Sequence, residues 1–271
     1  MRSSNEIKKF YNYNSNEPTR LSQRVVKVYQ EEGIKKLAAK IMANIIKYTL
    51  KYIKYTTNKL NYAIFNRYFL LEKFEGVKFK YFLNQYNAVD SERSVEIPFV
   101  MYFVQKETGK KIMEVGNVLN HYYPFNHVVV DKYERDKNVI NEDIVDFNTV
   151  ERFDLIISIS TVEHVGFDEL PVTPGKAINA IKKIIELLKP SGVAVITVPM
   201  GYNPEIDKLI RDNDINFSER FFLKRISRYN TWTETNVEEA LTLKYAKKYP
   251  AANAVAFLIY RNKPDRQALN H

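Results

Sequence analysis

From Lys110 onward, short runs of consecutive apolar residues alternate with amphipathic ones. Lys111–Val115 (KIMEV) reads as a strand ending at Gly116, and His127–Val130 (HVVV) as a second ending at Asp131. Phe153–Ile159 (FDLIISI) is a third, and Val193–Val198 (VAVITV) a fourth. Ala177–Leu188 places Ile178, Ile181, Ile184, Ile185 and Leu188 at helical spacing, and Pro190-Ser191-Gly192 stops that helix. Strands that are apolar throughout, separated by helices, predict a parallel sheet covered on both faces. Residues 221–260 differ. FFLKRIS, TWTET and AVAFLIY, the last after a short helix, suit antiparallel strands at the carboxy-terminal edge of a mixed α/β sheet.

The first third has another pattern. From Gly33 to about Lys54, Ile34, Leu37, Ala38, Ile41, Ile45, Tyr48 and Tyr52 recur at helical spacing. Lys36, Lys40, Lys47, Lys51 and Lys54 fall within roughly 60° of one another, opposite that stripe. This basic amphipathic helix has three readings. It is a solvated face on a docked helix, a surface that meets anionic lipid or another acidic partner, or a nucleic-acid surface. No zinc-finger, RRM-like or helix-turn-helix signature supports the last.

Charge sharpens the division. Residues 1–90 hold 17 Lys/Arg and 7 Asp/Glu, whereas residues 91–271 hold 24 and 25. The net charge of +9 therefore originates in the first third. We expect a basic helical arm over 1–90 and an α/β domain over 91–271.

Composition excludes whole classes of function. With no cysteine among 271 residues, disulfide scaffolds, Cys-ligated zinc, iron–sulfur clusters and thiol nucleophiles are ruled out. Four scattered histidines without HExxH predict no metal site. Eight glycines leave no glycine-rich phosphate loop. The polar start MRSSNEIKKFYNYN lacks the apolar core of a secretory signal. The longest uncharged apolar stretch, Ala251–Tyr260, is shorter than the ~20 residues of a membrane span. The expectation is a cytoplasmic protein, peripheral at the membrane if its helix meets lipid.

In open parallel sheets, ligands sit outside the carboxyl ends of the strands. Those ends carry Glu114-Val115-Gly116-Asn117, Asp131-Lys132, Ser160-Thr161-Val162-Glu163-His164 and Met200-Gly201-Tyr202-Asn203, while Asp143-Ile144 leads to the third strand. The order EVGN, VVVDKYE, NEDIVDF, FDLIISISTVEHVG, LKPSGVAVITVP, over about residues 110–200, resembles a class I S-adenosylmethionine-dependent methyltransferase. EVGN, with Glu92–Pro98 upstream and Pro199–Pro204 downstream, is similar to a poorly characterised microbial subset of that family.

The resemblance implies a Rossmann-like fold and S-adenosylmethionine as cofactor. Asp131, ending the second strand, would accept hydrogen bonds from two ribose hydroxyls or else cap the next helix, and Gly116 would let the backbone approach the ligand. Glu114 and Asn117 would shape the methionine end, or Glu114 would serve a backbone amide. Lys132, Asp143 and the Ile144 backbone would lie at the adenosine end, and Ser160 and Thr161 would line the floor. His164, with His121 at the pocket rim behind it, is the expected base for an oxygen acceptor, although His164 also reads as a packed, hydrogen-bonded residue. Arg93 and Glu96 read as a pocket pair or as neighbours on one helix face.

One departure stands out. Where the family's first loop carries further glycines, this chain has Val118 and Asn120. That disfavours a pyrophosphate ligand, because it needs close backbone approach at several points. The expected activity is methylation, on oxygen or nitrogen, of a small-molecule, glycan or lipid-linked acceptor. The alternatives are a non-catalytic binding module on the same scaffold and an NAD-dependent oxidoreductase. The acceptor and the oligomeric state are not encoded in any recognisable motif.

Overall fold

The computed structural model describes residues 18–64, 68–84, 88–124 and 126–263. The polar start discussed above lies outside them. The chain divides into two compact units, residues 1–60 and 61–271.

In the first unit, α1 (Pro18–Ile64) is broken at Gly33, whose φ of 77° and ψ of 168° are not helical. The expected helix therefore does begin after Gly33, but it runs ten residues beyond Lys54. The apolar stripe is exposed, with Ile34 at 68% and Ile45 at 54%.

The second unit starts well before the composition shift near Ser91. A hairpin of β1 (Tyr68–Leu71) and β2 (Val77–Lys80) belongs to it. Glu75 and Gly76, both at positive φ, turn the chain there. Phe74 packs 5.5 Å from Phe99 and 5.2 Å from Phe221, and Phe99 lies 4.6 Å from Phe257. This aromatic layer holds α2 (Arg93–Lys106) against the sheet.

The remaining strands are β3 (Ile112–Val115), β4 (Val128–Val130), β5 (Val139–Ile140), β6 (Phe153–Ile159), β7 (Leu188–Pro199), β8 (Glu219–Arg225), β9 (Trp232–Thr235) and β10 (Ala254–Arg261). They form one sheet in the order β5-β4-β3-β6-β7-β10-β8-β9. Pairings from β5 through β7 are parallel, and the last strand, β10, inserts antiparallel between β7 and β8. The mostly parallel sheet with an antiparallel carboxy-terminal edge is thus the observed architecture. One face is covered by α2 and the hairpin, the other by α3 (Lys176–Glu186), α4 (Pro204–Asp212) and α5 (Val237–Thr242). Full burial of Ile156, Ile157, Ile159, Val195 and Ile196 explains why β6 and β7 carry apolar residues on both faces.

Two local features depart from expectation. Pro190-Ser191-Gly192 does not separate helix from strand, because β7 already pairs with β6 at Leu188. A register shift follows, and Ser191 takes φ +65° at that irregularity. The β3–β4 connection also carries only a 3-10 turn, Leu119–His121, among its described residues.

Strand order reverses between β3 and β6, since β4 and β5 extend one way and β7 the other. The carboxyl ends of β3, β4, β6 and β7 therefore frame the switch-point crevice where such sheets bind ligands.

Candidate active site

At the end of β3 the loop is closed on itself. The Gly116 amide donates to the Val130 carbonyl (2.9 Å) and the Asn117 amide to Asp131 Oδ2 (3.1 Å). The Val118 and Leu119 amides both donate to Glu114 Oε1, at 2.9 and 2.8 Å. His127 Nε2 lies 2.7 Å from the other oxygen, Glu114 Oε2. Glu114 is fully buried, so its carboxylate builds the loop from within.

Gly116 sits at φ +88°, and a Cβ there would meet Thr161 Oγ1 at 2.2 Å. The close approach demanding a glycine is thus to the Thr161 side chain, which joins the ends of β3 and β6. Asn117 is buried, and its Oδ1 accepts from Asn120 Nδ2.

Asp131, at the end of β4, is half-buried. Its Oδ1 accepts from the Tyr133 and Glu134 amides, both at 2.8 Å. Together with Asn117, these bonds use three of a carboxylate's roughly four acceptor positions. Among the described residues no helix follows β4 before β5, so Asp131 closes a turn rather than capping a helix, and it retains acceptor capacity on Oδ2. His121 reaches Glu134 at 3.0 Å and so bridges the loops after β3 and β4.

Beside Asp131 lies an ion quartet. Lys132 contacts Asp143 (2.9 Å) and Glu169 (3.0 Å), and Lys176 contacts the same two carboxylates (2.6 and 2.7 Å). Burial would raise the Asp143 pKa, but hydrogen bonds from Lys176 and Lys132 outweigh it and hold the carboxyl below its usual range. Asp143 Oδ1 also accepts the Val145 amide, while the Ile144 side chain is buried in the core. The quartet ties the connection between β6 and α3 to the ends of β4 and β5.

The end of β6 is organised differently. Ser160 is a buried non-glycine residue at φ +39°. Its hydroxyl donates to Glu96, and Arg93 Nη1 donates to the Ile159 carbonyl (2.8 Å) while pairing with Glu96 (3.0 Å). The α2 residues read from sequence as a pocket pair or a helix-face pair thus clamp the strained turn after β6.

A 3-10 turn, Val162–His164, follows. It sends Glu163 inward and leaves His164 partly exposed. His164 Nδ1 bonds Asp168, which also accepts the Tyr202 hydroxyl. The Tyr202 ring packs edge-on against His164 and Tyr245. Asn203 caps α4 through the Glu205 amide and donates Nδ2 to the Glu163 carbonyl. Segments 92–96, 160–168 and 200–207 therefore converge on one place.

Glu163 is the residue that sequence reasoning passed over. It is fully buried, yet neither carboxylate oxygen has a hydrogen-bond partner. His164 Nε2 is the nearest cation, at 3.5 Å. Burial pushes the Glu163 pKa up to about 7, against the pull of His164. Burial disfavours the His164 imidazolium, but Glu163 and Asp168 outweigh it and raise the pKa. The two carboxylates thus favour the charged imidazole. The group suited to accept a proton is Glu163 acting with His164, rather than the imidazole alone.

Trp232 is a core residue, with Nε1 donating to Asn230. A cavity of about 460 Å3 lies away from this site, at the amino ends of β3 and β4. The charged groups at its rim are engaged elsewhere: Lys110 with Glu107, Lys111 with Glu151 and His127 with Glu114. Among the described residues no cluster of His, Asp and Glu is arranged to hold a metal ion, and no helix is long and apolar enough to cross a membrane.

No protein-family model and no curated protein matches this chain. Among solved structures, it is similar to the N-methyltransferase NodS from Bradyrhizobium japonicum bound to S-adenosylhomocysteine, at 16% identity, 64% of this chain, 89% of that one and a TM-score of 0.37. A methyltransferase from Archaeoglobus fulgidus gives 14%, 63%, 94% and 0.40. A possible histamine N-methyltransferase from Thermotoga maritima gives 12%, 63%, 91% and 0.39. Likeness at this level carries nothing about activity.

Proposed function

We propose that the protein is an S-adenosylmethionine-dependent methyltransferase acting on a small-molecule, glycan or lipid-linked acceptor. The observation that carries this reading is the chemistry of the loop after β3. It lies at the switch point beside a half-buried carboxylate, Asp131, and its amides at 116, 117, 118 and 119 are all consumed internally. A pyrophosphate needs such amides free. A sulfonium nucleoside needs acceptors for its ribose hydroxyls instead, and Asp131 Oδ2 retains that capacity. The same contrast argues against the NAD-dependent alternative.

When bound, the cofactor supplies a methyl group on a sulfonium, a centre open to direct in-line displacement. The protein's part is to hold the acceptor in line with that methyl and to manage its proton. Asp131 fixes the ribose, while Thr161 and Gly116 close the floor between β3 and β6. Asp168 and Tyr202 fix the His164 ring, and the His164 imidazolium tunes Glu163. For a hydroxyl acceptor, the Glu163–His164 pair takes up the proton as the new oxygen–methyl bond forms and the sulfonium–methyl bond breaks.

A non-catalytic binding module is the second reading, and the self-contained first loop is the observation in its favour. The test is calorimetric titration with S-adenosylhomocysteine, alongside thermal shift with NAD. A response to the first and none to the second supports the proposal. The reverse pattern returns the oxidoreductase.

A further inference from the structure

We infer that the helix over 33–64 is an in-plane docking surface for an anionic membrane. The inference concerns the first compact unit and does not depend on the activity of the second.

The segment carries seven lysines and no acidic residue. Lys35 and Lys59 fall at the apolar side, while Lys36, Lys40, Lys47, Lys51 and Lys54 share one face. On the other side, Ile34, Ile41, Met42, Ile45, Ile46, Leu50 and Ile53 are all exposed and span a broad apolar arc. Tyr48 and Tyr52 lie within that arc, and such amphipathic rings favour the headgroup level of a bilayer.

The break at Gly33 gives the segment a defined start. At 1.5 Å per residue the helix after it is about 46 Å long, which is ample for lying along a surface. It does not qualify as a membrane span. Lysines recur every few residues along it, so crossing the hydrocarbon is excluded while lying in the interface is favoured.

Two anionic partners fit a lysine stripe, a lipid surface and a nucleic acid. The exposed apolar arc decides between them. A phosphate backbone neutralises lysines but does not bury isoleucines, whereas an anionic bilayer does both. Each lysine near such a surface is worth on the order of fivefold in partitioning.

The experiment is flotation of the full-length protein with phosphatidylcholine vesicles, with and without one-third phosphatidylglycerol. Retention on the anionic vesicles alone is expected. Replacing Lys36, Lys40, Lys47, Lys51 and Lys54 by Gln is expected to abolish it, and Ile41→Asn with Ile45→Asn to reduce it at least tenfold. Gln keeps helix propensity, and far-UV circular dichroism with an unchanged melting temperature of the α/β unit verifies that each variant is folded. Failure of the wild type to float, equal retention on both vesicle types, or retention unaffected by either variant overturns the inference. So does tight binding of a short nucleic-acid duplex without vesicle binding.

Discussion

The turns that end β3 and β6 lie side by side yet are built on opposite principles. After β3, the Glu114 carboxylate, the Asp131 carboxylate and four backbone amides satisfy one another. After β6, a non-glycine residue sits at positive φ and a buried carboxyl, Glu163, has no hydrogen-bond partner. Satisfied polar groups rigidify, and unsatisfied ones are retained at a stability cost where function uses them. Under the proposed function, the first turn serves as a preformed cofactor floor and the second carries the proton chemistry.

The sharpest way to break this comparison is Glu163→Gln. Loss of a general base lowers turnover by about 10²–10⁴-fold, while S-adenosylhomocysteine affinity stays unchanged. Turnover of the wild type should rise with pH through an apparent pKa near 7, matching the value to which burial pushes Glu163. Stability runs the other way. A carboxyl whose folded pKa is raised from 4.5 to about 7 contributes stability below pH 4.5 that is lost as pH climbs through 7. Glu163→Gln should therefore be more stable than wild type at pH 8, by up to roughly 3 kcal/mol, with the gain shrinking toward pH 5. Denaturant titrations at the two pH values measure it.

Gly116→Ala tests the other turn. The new Cβ meets Thr161 Oγ1 at 2.2 Å and the backbone stays at φ +88°, so stability should fall by more than about 2 kcal/mol. Adding Thr161→Ala removes most of the clash and should recover all but about 1–2 kcal/mol, the left-handed penalty of an alanine. No recovery would mean that the two strand ends are not packed as described.

Ser160→Ala removes the hydroxyl donated to Glu96 and should cost about 1–3 kcal/mol, read from the same denaturation curves. The smallest effect belongs to the ion quartet. Its lysines are partly exposed, so Lys176→Met should change stability by no more than about 1 kcal/mol. The effect should shrink further in high salt.

Much of this was legible in the chain. Phe153–Ile159 and the strands around it declared themselves by nearly continuous apolar runs, because both faces of the sheet are covered. Gly116, Asp131 and Ser160 were correctly placed at strand ends. Other parts depended on burial and direction, which a linear pattern does not carry. Glu163 and His164 are adjacent, and only the 3-10 turn reveals that the first points inward and the second outward. The hairpin over 68–80 mixes phenylalanines with lysines, and its single buried face was masked by the charge excess assigned to the arm. The need for a glycine at 116 was visible, but its structural cause was not. Thr161, 45 positions away, fills the space a side chain would need.

The central claim is that the ends of β3 and β4 hold S-adenosylmethionine. Isothermal titration with S-adenosylhomocysteine tests it most directly, using Asp131→Asn as the paired variant because alanine would also strip three backbone amides of their acceptor. Micromolar binding, weakened at least about tenfold in a variant that remains folded, is the predicted result. No heat from the wild type, or equal affinity in the variant, would contradict it.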